Sequence, residues 1–195
     1  MKNSFFNNNG PFKFKEILNQ LNLQNDKNNE DLIINDINDL QNSNSNEITF
    51  FHSKKYKIIA NITKASFCIT TENLKNELPK QCIAIIVDNV LVSTAIVTSM
   101  FYPNSIKDDF DDTVNDINKT EFNNKVKYGK NVLIGQNVSI GKNCLIGHNS
   151  IIEKNVSIGD NCTIGSNTII KNCLIKNDVR ILDNCVIGKH GFGFF

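Results

Sequence analysis

Two different patterns of hydrophobic positions divide this chain of 195 residues. In the second half an aliphatic residue returns at every sixth position, and a small or β-branched residue stands two places before it. The aliphatic positions are Ile134, Ile140, Ile146, Ile152, Ile158, Ile164 and Ile170, and the earlier positions are Val132, Val138, Cys144, Ser150, Val156, Cys162 and Thr168. Because residues two apart in a strand share a face, both sets are expected to point inward.

Each six-residue unit also contains a corner. Asn stands three places before the aliphatic residue, and Gly follows it in most units. Both residues tolerate positive φ, which predicts a short strand with a turn. Such hexapeptide units are typical of a parallel β-helix. Three units would form one triangular coil, so Cys144 and Cys162 should lie in adjacent coils, facing inward and without a disulfide.

The period changes once. After Ile170 the aliphatic positions are Ile175, Ile181 and Ile187, so one step is shorter by a residue. We therefore predict a corner shortened by one residue near Lys171–Asn172, after which the strand phase recovers.

Residues 1–103 show no repeat and predict a small α+β domain. Phe14, Ile17, Leu18 and Leu21 form one helical face. Strands are predicted at EITFF, ASFCIT and CIAIIV, the last two buried, and helices at KKYKIIANI and NVLVSTAIVTSMFY. Asp88 is expected to cap the last helix, which should end before Pro103. Residues 104–125 are polar and acidic and are interpreted as a linker or an irregular first coil, and residues 126–195 as the β-helix.

Composition excludes several classes of function. The net charge of +1 gives no basic field for nucleic acid. The six cysteines form no CxxC pair, and the three histidines are far apart, so no zinc site is expected. The N-terminus lacks a signal peptide, and Asp88 and Asn89 interrupt the longest apolar run. We expect a soluble, cytoplasmic protein without a transmembrane segment.

Three stretches resemble the UDP-3-O-acylglucosamine N-acyltransferases of lipid A biosynthesis: EITFFHSKKYKIIANITKASFCIT, FYP at Phe101–Pro103, and the final CVIGKHGFGFF. The resemblance implies a small α+β N-terminal domain followed by a left-handed parallel β-helix. It also implies a homotrimer that transfers a 3-hydroxyacyl chain from acyl carrier protein to the 2-amino group of UDP-3-O-acylglucosamine. No metal or redox cofactor is implied.

The resemblance assigns a uridine site to three residues. In the family a Phe and a Tyr six residues apart sandwich the uracil, and here these are Phe50 and Tyr56. Ser53 stands where the family commonly has Asn, and it keeps a hydroxyl for the base. Lys54 and Lys55 could attract the diphosphate. Without the resemblance, Phe50 is a half-buried strand residue and Tyr56 a residue that packs a helix.

The resemblance assigns no catalytic residue to this chain. In the family the general base is a His that lies beyond the GFGF loop, and this sequence ends at Phe195. We therefore interpret the chain as an N-terminal fragment of a longer enzyme. His148 precedes that loop and is interpreted as an exposed corner residue, and His190 has no assigned role. Two alternatives remain: another hexapeptide sugar-nucleotide acetyltransferase that uses acetyl-CoA, and a non-catalytic β-helical trimerisation module.

Overall fold

The computed structural model of the chain describes residues 5–24, 28–103, 105, 109–123 and 125–189. The chain forms two compact units, one within residues 6–107 and the other within residues 108–193. The first unit contains the predicted α+β elements, and the second is the parallel β-helix that the six-residue period predicts, with the left hand that the family resemblance implies. The GFGF segment and His190 lie outside the described residues.

A four-stranded parallel sheet with the order β3-β4-β5-β6 organises the first unit. Its elements in chain order are β1 Phe12–Lys13, α1 Phe14–Gln20, β2 Ile33–Ile34, β3 Asp36–Ile37, β4 Glu47–Phe51, α2 Lys57–Ala60, β5 Phe67–Thr70, β6 Ile83–Ile86 and α3 Val90–Phe101. Two 3-10 turns add Lys54–Tyr56 and Lys75–Glu77, and β1 pairs antiparallel with β2.

Both faces of β5 are buried, as its run of apolar residues predicts. Phe67 and Ile69 join a core that includes residues of α1 and α3, whereas Cys68 joins a second cluster on the opposite face. β6 is less buried than predicted, since only Ile85 is fully enclosed. The reason is its place in the sheet, because β6 is an edge strand with a neighbour on one side only.

The start of α3 lies one residue further along than predicted. Asn89 is the N-cap instead of Asp88, and its Oδ1 accepts a hydrogen bond from the N–H of Val92 at 3.1 Å. This contact satisfies one of the N–H groups that have no partner within the first turn of a helix. The helix ends at Phe101, before Pro103, as expected. No helix in the described part of the chain is long and apolar enough to span a membrane.

Three sheets form the sides of the second unit, in the orders β10-β13-β16, β17-β14-β11-β8 and β18-β15-β12-β9-β7. Their strands are β7 Asn115–Asp116, β8 Lys127–Tyr128, β9 Leu133–Ile134, β10 Ser139–Ile140, β11 Leu145–Ile146, β12 Ile151–Ile152, β13 Ser157–Ile158, β14 Thr163–Ile164, β15 Ile169–Ile170, β16 Leu174–Ile175, β17 Arg180–Ile181 and β18 Val186–Ile187. Ile146 pairs with Ile164, which confirms three units to a coil. Cys144 and Cys162 are buried and unpaired, as predicted.

Asn and Gly have different roles at the corners, which corrects the expectation that both supply positive φ. Every repeat Asn from Asn131 to Asn167 lies in the left-handed region, with φ between 55° and 63°. The glycines that follow the aliphatic positions from Ile134 to Ile164 do not, whereas Gly188, which follows Ile187, has a φ of 78°. The former are needed because adjacent coils approach closely: a Cβ added to Gly159 would lie 2.7 Å from the backbone N of Asn177. A side chain there would push the coils apart.

The corner Asn side chains form hydrogen-bonded rows that run along the β-helix. Asn131 Nδ2 donates to Asn149 Oδ1 at 3.0 Å, and Asn149 Nδ2 donates to Asn167 Oδ1 at 3.2 Å. A second row ends on a carboxylate, since Asn161 Nδ2 donates to Asp178 Oδ1 at 3.1 Å. In each of these pairs the donor belongs to the earlier coil. The rows therefore link successive turns through side chains as well as through the backbone.

The shortened corner lies where the sequence predicts it. Asn172 makes the turn with φ of 49°, and Ile158 then pairs with Ile175. At this corner the Nζ of Lys171 lies 3.3 Å from Glu153 Oε1, with both side chains largely buried. The paired carboxylate allows a Lys side chain to be enclosed at a position that a repeat corner normally exposes.

Residues before the first full coil pack onto the β-helix. β7 pairs antiparallel with β9, and a 3-10 turn at Ile117–Lys119 follows it. Ile117 and Phe122 are buried in the β-helix core. These contacts give the first coil a neighbour on its outer side, as the end of a solenoid requires.

Candidate functional site

A pocket of about 270 Å³ opens in the first unit beside the C-terminal end of β4. Ligands of parallel sheets commonly bind at this end of the strands. The pocket is lined by Asp39, Leu40, Gln41, Phe50, His52, Tyr56 and Ile59. Phe50 and Tyr56, which the sequence singles out, therefore lie at the same pocket. Ser53, the third predicted residue, is not among the lining residues.

The chain reverses directly after β4, and this turn determines where the aromatic residues lie. Phe50 is the penultimate residue of the strand and is half-buried against the core. Ser53 then caps the 3-10 turn: its Oγ accepts a hydrogen bond from the N–H of Lys55 at 3.4 Å. Tyr56 is the last residue of that turn and is 38% exposed. The Ser53 hydroxyl, which the family resemblance assigns to the base, therefore already accepts a hydrogen bond as the cap of the 3-10 turn.

The imidazole of His52 lies close to both predicted aromatic rings. Its centroid is 6.4 Å from that of Phe50, with an interplanar angle of 21°. It is 5.4 Å from the ring of Tyr56, with an angle of 52°. Both separations lie within the range of about 4.5–7 Å in which aromatic pairs attract each other. Phe50, His52 and Tyr56 therefore form a continuous series of rings along the pocket.

The loop that begins at Asp39 forms another part of the pocket lining. Asp39 Oδ1 accepts hydrogen bonds from the N–H groups of Gln41 at 2.8 Å and Asn42 at 3.0 Å, and Oδ2 accepts one from Asn42 Nδ2 at 2.7 Å. The hydrogen bond from the Asn42 side chain lowers the pKa of Asp39 below its ordinary value. An ionised carboxylate with its oxygens so occupied orders the loop and is a poor general base.

Two lysine side chains beside the pocket are available to an anion. Lys54 and Lys55 belong to the same 3-10 turn as Tyr56, and both are exposed. Among the described residues neither forms an ion pair, whereas Lys57 is 2.9 Å from Glu77. Positive charge that no nearby carboxylate neutralises attracts phosphate groups.

No metal site accompanies this pocket. Within the described ranges, no group of three His, Cys, Asp or Glu side chains could hold a metal ion. His148 lies exposed at a corner of the second unit, where its Nδ1 accepts a hydrogen bond from the N–H of Lys130 at 2.8 Å. At the corner two hexapeptide units further along the chain, Asp160 Oδ1 accepts the equivalent hydrogen bond from the N–H of Lys142. The imidazole of His148 thus links two coils, as a carboxylate does at another corner.

Each of the two units contains a stretch that matches the model of a known protein family. Residues 31–100 match the family model described as UDP-3-O-(3-hydroxymyristoyl) glucosamine N-acyltransferase, LpxD. Residues 137–172 match the model described as bacterial transferase hexapeptide (six repeats). The chain therefore contains one stretch that matches the N-acyltransferase model and a second stretch that matches the hexapeptide-repeat model. Every residue that lines the pocket lies within the stretch that matches the N-acyltransferase model.

Curated relatives carry the same description. The chain is similar to the UDP-3-O-acylglucosamine N-acyltransferase of Rickettsia akari (strain Hartford), with 31% identity over 104 residues, or 52% of this chain and 30% of the relative. The protein of the same name from Rickettsia canadensis (strain McKiel) is 32% identical over 101 residues, or 51% of this chain and 30% of the relative. The matched part thus spans about 30% of the length of these relatives.

Sequence reasoning missed several lining residues. His52 has a local signal, because it lies two positions after Phe50 and so on the same side of the extended chain. Ile59 is one position of a short helix. No local sequence signal marks the other three lining residues, Asp39, Leu40 and Gln41. The connection between β3 and β4 brings them to the pocket, and nothing in the sequence DLQ predicts this.

Proposed function

We propose that the protein to which this chain belongs is a cytoplasmic, trimeric N-acyltransferase. It would transfer a 3-hydroxyacyl chain from acyl carrier protein to the 2-amino group of UDP-3-O-acylglucosamine. The observation that carries the proposal is the pocket that gathers Phe50 and Tyr56 inside the stretch matching the N-acyltransferase family. In this proposal the chain's own share of the work is recognition of the uridine diphosphate.

The pocket has the chemistry that a uridine diphosphate needs. Stacking of one base on aromatic side chains contributes about 1–3 kcal/mol, which Phe50 and Tyr56 would supply. Lys54 and Lys55 would attract the diphosphate, because they belong to the same 3-10 turn as Tyr56 and no described carboxylate pairs with them. Gln41 offers an amide that can donate to a carbonyl and accept from an N–H at the edge of a pyrimidine.

Uridine recognition would contribute to the transfer by positioning. In the reaction a C–N bond forms to the acyl carbon, the C–S bond of the thioester breaks, and the carrier's thiol leaves. The amine also loses a proton to a general base, and we assign that role to no described residue. Holding the distant uridine fixes where the glucosamine amine lies, and such orientation can supply a large part of a rate enhancement.

One side of the β-helix supports the proposed trimer. The outer positions of the four parallel strands β9, β12, β15 and β18, which lie side by side in one sheet, are all aliphatic: Leu133, Ile151, Ile169 and Val186. The other two sides carry polar or charged residues at most of the same positions, among them Ser139, Ser157, Lys127 and Arg180. Closed association of subunits would bury such an aliphatic row. We expect Ile151→Lys to give monomers in sedimentation velocity, whereas Ser139→Lys should leave the association unchanged.

Titration of UDP-N-acetylglucosamine into the full chain by calorimetry tests the uridine site. We expect Phe50→Ala and Tyr56→Ala each to weaken binding roughly tenfold, which corresponds to about 1.4 kcal/mol of lost stacking. Ile58→Ala is the matched control, since Ile58 lies close by in sequence, is 81% exposed and does not line the pocket. If the unaltered chain fails to bind, the proposal is wrong. Binding of acetyl-CoA without the uridine nucleotide would favour the alternative acetyltransferase.

A further inference from the structure

A residue of the chain already packs against both aromatic rings of the candidate uridine site. The His52 imidazole lies nearly parallel to the ring of Phe50, at 21° and 6.4 Å, and contacts Tyr56 at 5.4 Å. A base that enters between Phe50 and Tyr56 needs the same ring faces. Two flat groups cannot occupy one stacking position, because the space between stacked rings accommodates a single layer.

His52 is free to leave this position. It lies in the short connection between the last residue of β4, Phe51, and the cap residue Ser53, and its side chain is exposed. Its imidazole forms no hydrogen bond with another described residue, so only ring contacts hold it. Rotation about the side-chain bonds of an exposed residue is fast compared with ligand binding.

We propose that His52 stacks in the base position of the ligand-free protein and that the incoming base must displace it. This rests on the proposed function, because the base is that of the uridine nucleotide. His52 is in this view a residue that sets affinity and specificity: a flat ring gains entry only when it stacks on Phe50 and Tyr56 more favourably than an imidazole does. Ligands that offer only phosphate and sugar would leave His52 in place.

The proposal predicts that removal of the His52 side chain strengthens nucleotide binding. If His52 only lined the pocket and contacted the ligand, its removal would weaken binding. Removing the imidazole frees the stacking position, so His52→Ala should bind UDP-N-acetylglucosamine more tightly. One aromatic contact is worth about 0.5–1.5 kcal/mol, so we expect Kd to fall roughly three- to tenfold. His52→Phe restores a flat ring of similar reach, and its Kd should equal or exceed that of the unaltered chain.

The experiment compares the full chain with His52→Ala, His52→Phe and His148→Ala by calorimetry with UDP-N-acetylglucosamine. His148→Ala is the matched control, because it removes an exposed imidazole that lies in the other unit. We expect the order of Kd to be His52→Ala lowest, then the unaltered chain and His148→Ala, with His52→Phe equal to or above these. An unchanged or higher Kd for His52→Ala would overturn the proposal while leaving the uridine site intact.

A second readout observes the stack without relying on mutations of His52. In proton NMR the carbon-bound imidazole protons of His52 should be shifted upfield by the rings of Phe50 and Tyr56, and the shift should relax when the nucleotide is added. Phe50→Ala and Tyr56→Ala should each reduce it. An imidazole without this shift in the ligand-free chain would contradict the displacement, and a chain that binds no nucleotide in any variant would contradict the proposed function as well.

Discussion

Two buried threonines on the same side of the central strands should respond in opposite ways to replacement by valine. Thr49 of β4 is fully buried, and its Oγ1 has no hydrogen-bond partner among the described residues. Thr70 of β5 is equally buried, but its Oγ1 donates to the carbonyl of Phe51 at 2.8 Å. Valine has nearly the same shape as threonine and lacks the hydroxyl. The two substitutions therefore make the same change in shape and differ in what the hydroxyl does.

The expected change in the free energy of unfolding follows from the hydrogen bonding of each hydroxyl. A buried polar group without a partner costs about 1–3 kcal/mol, so Thr49→Val should stabilise the unit by an amount of the order of 1 kcal/mol. Thr70→Val removes a made hydrogen bond, whose net contribution is about 0.5–1.5 kcal/mol, and should destabilise it. The two variants should thus differ by about 2 kcal/mol in the free energy of unfolding.

Native-state hydrogen exchange of the β5 amides measures this difference within the first unit alone. Exchange through opening of the sheet reports the free energy of that opening, and about 1.4 kcal/mol corresponds to a tenfold change in protection. We expect Thr49→Val to raise the protection of Ile69 and Thr70→Val to lower it. Equal protection in the two variants, or a loss in Thr49→Val, would refute the reasoning that the Thr49 hydroxyl is unsatisfied.

Two further predictions concern the β-helix. Gly159→Ala should destabilise it by roughly 1–3 kcal/mol in urea unfolding, because the added Cβ meets the next coil, whereas Ala at the exposed Gln136 should have little effect. Burial raises the pKa of Asp111, but hydrogen bonds from Thr113 and the Lys154 N–H outweigh this, so the pKa lies below its ordinary value. Its stabilising effect is present above the unfolded pKa of about 4 and is lost as the pH falls through the folded pKa. The stability gap between the unaltered chain and Asp111→Asn should therefore narrow below about pH 4, and a gap independent of pH would show that the charge is irrelevant.

The β-helix is largely predictable from the sequence because its geometry repeats. Each coil pairs with the one before it, so the inward positions, the Asn corners and the short step after Ile170 all follow from local spacing. The role of the glycines did not follow, because it depends on the distance between Gly159 and Asn177, and that distance exists only once the coils stack. A period shows which residues are equivalent, but not how closely they approach.

The pocket was predictable only in part. Phe50 and Tyr56 lie on one short stretch of chain, and resemblance to a family was enough to select them. The position of Ser53 as a cap depends on the 3-10 turn that follows β4, and Asp39 reaches the pocket through a connection that closes only when β3 pairs with β4. Contacts of this kind arise from pairing between distant segments, and neither composition nor periodicity carries information about them.

The rows of corner amides have a direction, and this determines which chemical change each position tolerates. Every member between two others both donates and accepts, whereas Asp178 only accepts from Asn161. A carboxylate fits there without loss. Conversion of Asn149 to aspartate by deamidation would keep the bond from Asn131 and remove the one to Asn167. Chemical ageing of this protein would therefore weaken the link toward the later coil first, and leave the link toward the earlier coil in place.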